Sequence, residues 1–336
     1  MLLTIFAAAC AWAQEPHLQL SGDLEGVHDP ALIHAGGGYY LYSTGPIKGG
    51  HVPIRCSPDL HVWKLCGVVF SELPLWAKNE IPATETVWAP DISQTNGEYR
   101  LYYAISAFGK NTSVIGFLSN ETLDPKAANY RWADHGLVID SKRADDFNAI
   151  DPNIFQDRDG TVWLTLGSFW SGIKMIRIDP ATGKQSTQDR KVYTLASRVT
   201  PPTPESSRPD VPSGGQGIEA PFLVRHGDSY YLFASYDFCC RGAESTYNVR
   251  VGRSSSVTGP YLDERGVPMT KGGGKPVILG GKRWAGPGHE AVLQDGDGKD
   301  YLVFHAYDGV TGKPSLHIAP ILWKGGWPVV APMPEK

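Results

Sequence analysis

Gly217-Ile218-Glu219-Ala220-Pro221, followed by Ser229-Tyr230-Tyr231-Leu232-Phe233-Ala234-Ser235, sets an acid beside a proline and then a run of aromatic and aliphatic residues. The second run has the aromatic, β-rich composition of a strand. The same pairing recurs along the chain. Aligned on the central aliphatic residue, the strand pattern repeats at Leu41, Leu101, Leu164, Leu232 and Val303, at intervals of 60 to 71 residues. A short motif precedes each: His28-Asp29-Pro30, Ala89-Pro90-Asp91, Asp151-Pro152-Asn153, Glu219-Ala220-Pro221 and His289-Glu290-Ala291. A unit of this length holds about four short strands with their turns, the size of one propeller blade. Solenoid repeats are shorter, about 20 to 45 residues. Five units therefore predict an all-β, five-bladed β-propeller.

The repeat fills nearly all 336 residues, so residues 14–336 are expected to form one catalytic domain. The 38 glycines and 26 prolines, without collagen-like periodicity, fit a chain rich in turns. A net charge of -4 supplies no basic field for nucleic acid, and past the N-terminus no apolar run is long enough for a membrane span. A neutral substrate and a monomer are the expectation. Aromatic residues, 11% of the chain, suit stacking on sugar faces, although β-sheets are aromatic-rich in any case.

Residues 1–13 carry no charge and end in Ala11-Trp12-Ala13, which reads as a secretory signal lacking its basic start and predicts a secreted or periplasmic protein. A buried N-terminal element and a lipid anchor on Cys10 are the alternatives. Beyond it, Cys56 and Cys66 are spaced for a disulfide across a hairpin, and the adjacent Cys239 and Cys240 could be either a vicinal disulfide or two thiols. Asp157-Arg158-Asp159-Gly160 reads as a hairpin turn rather than a calcium loop. Gln185 to Gln216, rich in Pro, Ser, Arg and Thr, reads as a long excursion that delivers the chain to Glu219.

In a propeller the first strand of each blade lines the axis, so motifs at one phase of the repeat converge. Asp29, Asp151 and Glu219 are expected to sit at equivalent positions and share a funnel. Their repulsion would raise at least one pKa, as an acid catalyst requires, while another carboxylate stays ionised to activate water. For any one acid the plain alternative is a turn or cap residue.

These motifs, with Trp88-Ala89-Pro90-Asp91, Asn148-Ala149-Ile150-Asp151-Pro152-Asn153 and Gly286-Pro287-Gly288-His289, resemble family 43 glycoside hydrolases, and within them the endo-1,5-α-L-arabinanases. The resemblance spans about Asp23 to Pro328. It implies the five-bladed propeller and an inverting mechanism on arabinan, with Asp29 as general base, Glu219 as general acid and Asp151 tuning the acid's pKa. It further implies a substrate cleft formed by Trp88, Phe108, Gly109, Asn148, Ala149, Ile150, Ser168, Phe169 and Trp170. His289 would be the ligand to an axial metal ion, calcium, otherwise held largely by water. An exo-acting arabinanase, an α-L-arabinofuranosidase or a β-xylosidase on the same fold is the nearest alternative, and a non-catalytic sugar-binding propeller the alternative of another class.

Overall fold

The computed structural model describes residues 16–198, 217–296 and 298–335. The segment read as a secretory signal and most of the proline-rich excursion lie outside the described residues. Five sheets follow one another along the chain. Their innermost strands are Ala31–Ala35, Trp88–Thr95, Asn153–Gln156, Ile218–His226 and Trp284–Gln294, and their second strands are Gly38–Tyr42, Glu98–Ile105, Val162–Leu166, Ser229–Tyr236 and Asp300–Asp308. Each aliphatic residue used to align the repeats lies on a second strand, and all five are fully buried.

The second strands are buried twice over because each blade packs against two neighbours. Side chains alternate across a strand, so successive residues face different seams. Leu101, Tyr103 and Ile105 join the core between blades one and two, whereas Tyr102 and Ala104 join that between blades two and three. Leu232, Ala234 and Tyr236 likewise face blade three, and Tyr231 and Phe233 face blade five. A fifth core, with Leu41, Trp63, Val303 and Ile318, closes the ring between blades five and one.

That closure uses the N-terminal segment. Ser21–Gly22 pairs in parallel with Val62–Trp63 of blade one, while Leu18 N donates to Ile318 O and Gly26 N to Pro314 O of blade five. Asp295, in the first turn of blade five, accepts hydrogen bonds from Tyr39 Oη and pairs with His34 of blade one. Asp157 receives the Tyr230 hydroxyl in the same way between blades three and four, so the Asp157–Gly160 stretch is a hairpin turn whose acid clamps the next blade.

The outer strand of blade one spans Val62–Phe70. One expectation is corrected. The stretch beginning at Gln185 is not loop throughout: Tyr193–Ala196 forms the fourth strand of blade three. Among the described residues the only α-helix, Leu75–Glu80, is short, and no helix is long and apolar enough to cross a membrane.

Candidate active site

The five motifs meet on the axis, and they do so through one backbone device. Asp29, Ala89, Asp151, Ala220 and His289 all have positive φ, between 43° and 55°. Proline follows four of them and restrains the next φ near −65°. A left-handed residue costs of order 1 to 3 kcal/mol and recurs here at one phase of every blade. The turn bulges the inner strand, as the register shifts at Trp88/Asp91 and Glu219/Phe222 record, and re-aims the side chains there.

The phase itself corrects the sequence reading. Asp29 and Asp151 occupy it together with His289, but in blade four Ala220 does, and Glu219 precedes it by one residue. Glu219 pairs with Ser235 across the strand as Trp88 pairs with Ala104, so its equivalent in blade two is Trp88. The offset follows the proline: Pro30 and Pro152 come directly after the acid, whereas Pro221 comes two residues after Glu219. Ala220 N donates to Asp151 Oδ2 at 3.0 Å, which ties the two neighbouring motifs together.

Asp29 and Glu219 are both buried, yet their surroundings shift them in opposite directions. Burial alone would push Asp29 up, but His28 Nδ1 at 2.7 Å and His289 Nδ1 at 2.9 Å from its Oδ1 hold it well below the usual carboxylate range. Thr44 Oγ1 donates to its other oxygen at 2.6 Å, and its backbone N–H donates to His305 Nδ1. Burial raises Glu219 despite two hydroxyl donors, Ser168 Oγ at 2.6 Å from Oε2 and Tyr247 Oη on Oε1. Asp151 is pushed up to about 8 by burial, with His289 opposing and Glu219 and Asp29 adding to the rise. The arrangement favours the ionised form of Asp29, suited to taking a proton from water, and shifts Glu219 toward the protonated form, suited to giving a proton away.

Asn148, Ala149 and Ile150 are buried. Asn148 Oδ1 accepts from Ser113 Oγ, and Ala149 and Ile150 pack in the core between blades two and three. Ser168 faces Glu219. Phe108 is 80% exposed on the loop of blade two, with Gly109 beside it, and Trp88, Phe169 and Trp170 are partly buried. Phe169 and Trp170 both have positive φ, and Phe169 packs against Phe238 with ring centroids 5.8 Å apart.

Four side chains at the site had no assigned role in the sequence reading: His28, Thr44, Tyr247 and His305. Tyr247 follows a long loop and falls outside the repeat phase. The one trace it leaves is Gly288, where a Cβ would lie 2.2 Å from the Tyr247 ring. His28 adjoins Asp29 in the quoted motif and was legible as a neighbour, though not as its partner.

The donor set also bears on the expected metal. His289 is raised to about 10: burial lowers it, and Asp29, Asp151 and Glu219 more than offset that. A narrow axial cavity lies between the inner strands, lined by Asp91, Asp151, His289 and Glu290 among others, with about 10 Å³ of room for the centre of a water-sized particle. Glu290 Oε1 is buried there without a partner, and burial pushes Glu290 up to about 8 and Asp91 to about 7. Buried carboxyls around an imidazole fit a hard divalent cation. His289 Nδ1 is engaged by Asp29, so such an ion would take Nε2 and complete its shell largely with water.

The model of glycosyl hydrolases family 43 matches residues 24–328. This chain belongs to that family. It is 44% identical over 308 residues to an extracellular exo-α-(1→5)-L-arabinofuranosidase of Cellvibrio japonicus, covering 90% of this chain and 86% of the relative. It is 39% identical to an extracellular endo-α-(1→5)-L-arabinanase of Bacillus subtilis, covering 90% and 87%. Among solved structures, the α-L-arabinanase of Cellvibrio cellulosa complexed with arabinohexaose superposes with a TM-score of 0.85 at 43% identity, covering 92% of this chain and 96% of that one. These family 43 relatives thus include both an exo- and an endo-acting enzyme.

Proposed function

We propose that this chain hydrolyses internal α-1,5 bonds of arabinan with inversion at the anomeric carbon, Asp29 acting as general base and Glu219 as general acid. The observation that carries the reading is that the surroundings push these two buried carboxyls in opposite directions, Asp29 down through its two histidine partners and Glu219 up through burial. Glu219 protonates the glycosidic oxygen as the bond breaks. Asp29, kept ionised by His28 and His289, removes a proton from the water that attacks the opposite face. Asp151, bonded to the Ala220 amide, positions the neighbouring acid and raises its pKa by its own charge when ionised. Ser168 and Tyr247 fix the acid's two oxygens. A calcium ion bound through His289 would add positive charge to the axis beneath the carboxylates.

Cleavage within the chain is supported by the endo-acting Bacillus relative, and Phe108 and Val310, 80% and 89% accessible on loops of blades two and five, are available to touch a long substrate. Release from chain ends is the second reading, favoured by the exo-acting Cellvibrio relative. Export is supported by the two disulfides and by the relatives named extracellular. The test is digestion of linear α-1,5-arabinan with sizing of the earliest products. A mixture of oligomer lengths is expected. A single short product from the first time point would establish exo action, and an intact polymer would refute the proposal.

A further inference from the structure

Cys239 and Cys240 form a disulfide on the loop that follows the second strand of blade four, and Cys240 is exposed. This loop reaches both sides of the catalytic pair. Phe238 O accepts the Tyr247 backbone N–H, next to the side chain that holds Glu219, while Cys240 N donates to Tyr307 Oη. Tyr307 Oη in turn lies 2.7 Å from His28 Nε2, and Cys240 Sγ lies 3.9 Å from that same nitrogen. His28 Nδ1 is committed to Asp29, so a ligand would take Nε2 in exchange for its bond to Tyr307 Oη, on the side where the Cys240 sulfur lies.

We propose that Cys239, Cys240 and His28 form a latent site for a thiophilic divalent cation such as Zn²⁺ or Cd²⁺, masked while the disulfide is intact and opened by its reduction. One ligand atom from each of the three residues lies within 4.8 Å of the others. In a tetrahedral site with Zn–S near 2.3 Å and Zn–N near 2.0 Å, ligand atoms stand about 3.5 to 3.8 Å apart. The His28 to Cys240 separation, 3.9 Å, lies just above that range, and two sulfurs released from their bond can move apart toward it. Carboxylate-bound imidazole is the usual way a protein presents such a ligand nitrogen, and Asp29 supplies the carboxylate.

The chemistry balances with a dithiol as reductant. Its thiolate attacks one sulfur, the Cys239–Cys240 bond breaks, and the second exchange releases the reductant as its own disulfide, leaving two protein thiols with two protons. A cation then binds two thiolates and both protons pass to solvent. The bound ion sits over His28, the partner of Asp29, and closes the cleft at the base. That last consequence rests on the proposed role of Asp29; the binding does not.

The test uses the whole mature chain, oxidised or reduced with a dithiol and then desalted, titrated with CdCl₂ while thiolate-to-cadmium absorption in the ultraviolet is followed. One additional equivalent with a thiolate band is expected in the reduced protein alone. It should persist in Cys56→Ser/Cys66→Ser, which removes the other reducible pair, and vanish when Cys239→Ser/Cys240→Ser is added to that variant, whose thermal unfolding, unchanged from that of Cys56→Ser/Cys66→Ser, would show that it folds. Arabinan hydrolysis should fall in proportion to occupancy and return with a chelator. Equal uptake before and after reduction, or uptake that survives loss of Cys239 and Cys240, would overturn the site. Binding that leaves hydrolysis unchanged would overturn its action through His28. Should the protein prove inactive on arabinan, the cadmium titration still decides the site.

Discussion

Replacing Tyr247 by Phe removes one hydroxyl and leaves the ring that packs beside Gly288. The hydroxyl donates to Glu219 Oε1, a bond that favours the ionised carboxylate and so opposes the effect of burial. A hydrogen bond to a charged group is worth about 1.5 to 3 kcal/mol, and about 1.4 kcal/mol corresponds to one pKa unit. Its loss should therefore raise the Glu219 pKa by roughly one to two units. A general acid works while protonated, so activity is lost as pH rises through its pKa. In Tyr247→Phe the alkaline limb of kcat/KM on linear arabinan should move to higher pH by about that amount, with a lower plateau because a weaker acid gives up its proton less readily. Ser168→Ala should move the limb in the same direction. An alkaline limb that stays in place, or moves down, would refute the assignment of Glu219 as the acid held by these hydroxyls.

Glu219→Gln should reduce arabinan hydrolysis by at least about 10²-fold while arabino-oligosaccharide affinity, measured by calorimetry, changes little, because the leaving oxygen needs a proton and ground-state contacts do not. Loss of binding matching the loss of rate would count against this. His289→Ala removes a partner that keeps Asp29 ionised, so the acid limb should shift to higher pH, and elemental analysis should show less bound calcium than in the wild type. A metal-free wild type indifferent to chelators would end the metal assignment. Cys56→Ser/Cys66→Ser opens a link between residues ten apart, worth about 3 kcal/mol in the chain-entropy picture, and chemical unfolding should show a loss no larger than that with activity retained.

The five second strands were legible because burial on two sides leaves a continuous apolar run, and that burial is what the sequence records at Leu41, Leu101, Leu164, Leu232 and Val303. The axial motifs were legible because a left-handed residue before proline leaves a short signature. Tyr193–Ala196 was not, being a four-residue, partly exposed strand at the edge of a polar excursion. Neither was the ring closure, which depends on backbone bonds of Leu18, Ser21 and Gly26 that any side chain could accompany. At the site, Asp29, Asp151 and His289 share a recognisable phase, but Glu219 stands one residue before it, and the partnership with Tyr247 comes from the end of a long loop between the second and third strands of the same blade. Tertiary contacts of that kind leave no periodic trace in the chain.

The central claim is that Asp29 acts on water and not on the sugar. Proton NMR of the anomeric signals during the first minutes of arabinan hydrolysis tests it most directly. An inverting pair releases the β anomer first from an α-linked chain, with the α anomer growing in only by mutarotation. First release of the α anomer, or transfer of the arabinosyl group to added methanol, would require a covalent intermediate and would contradict the role assigned to Asp29.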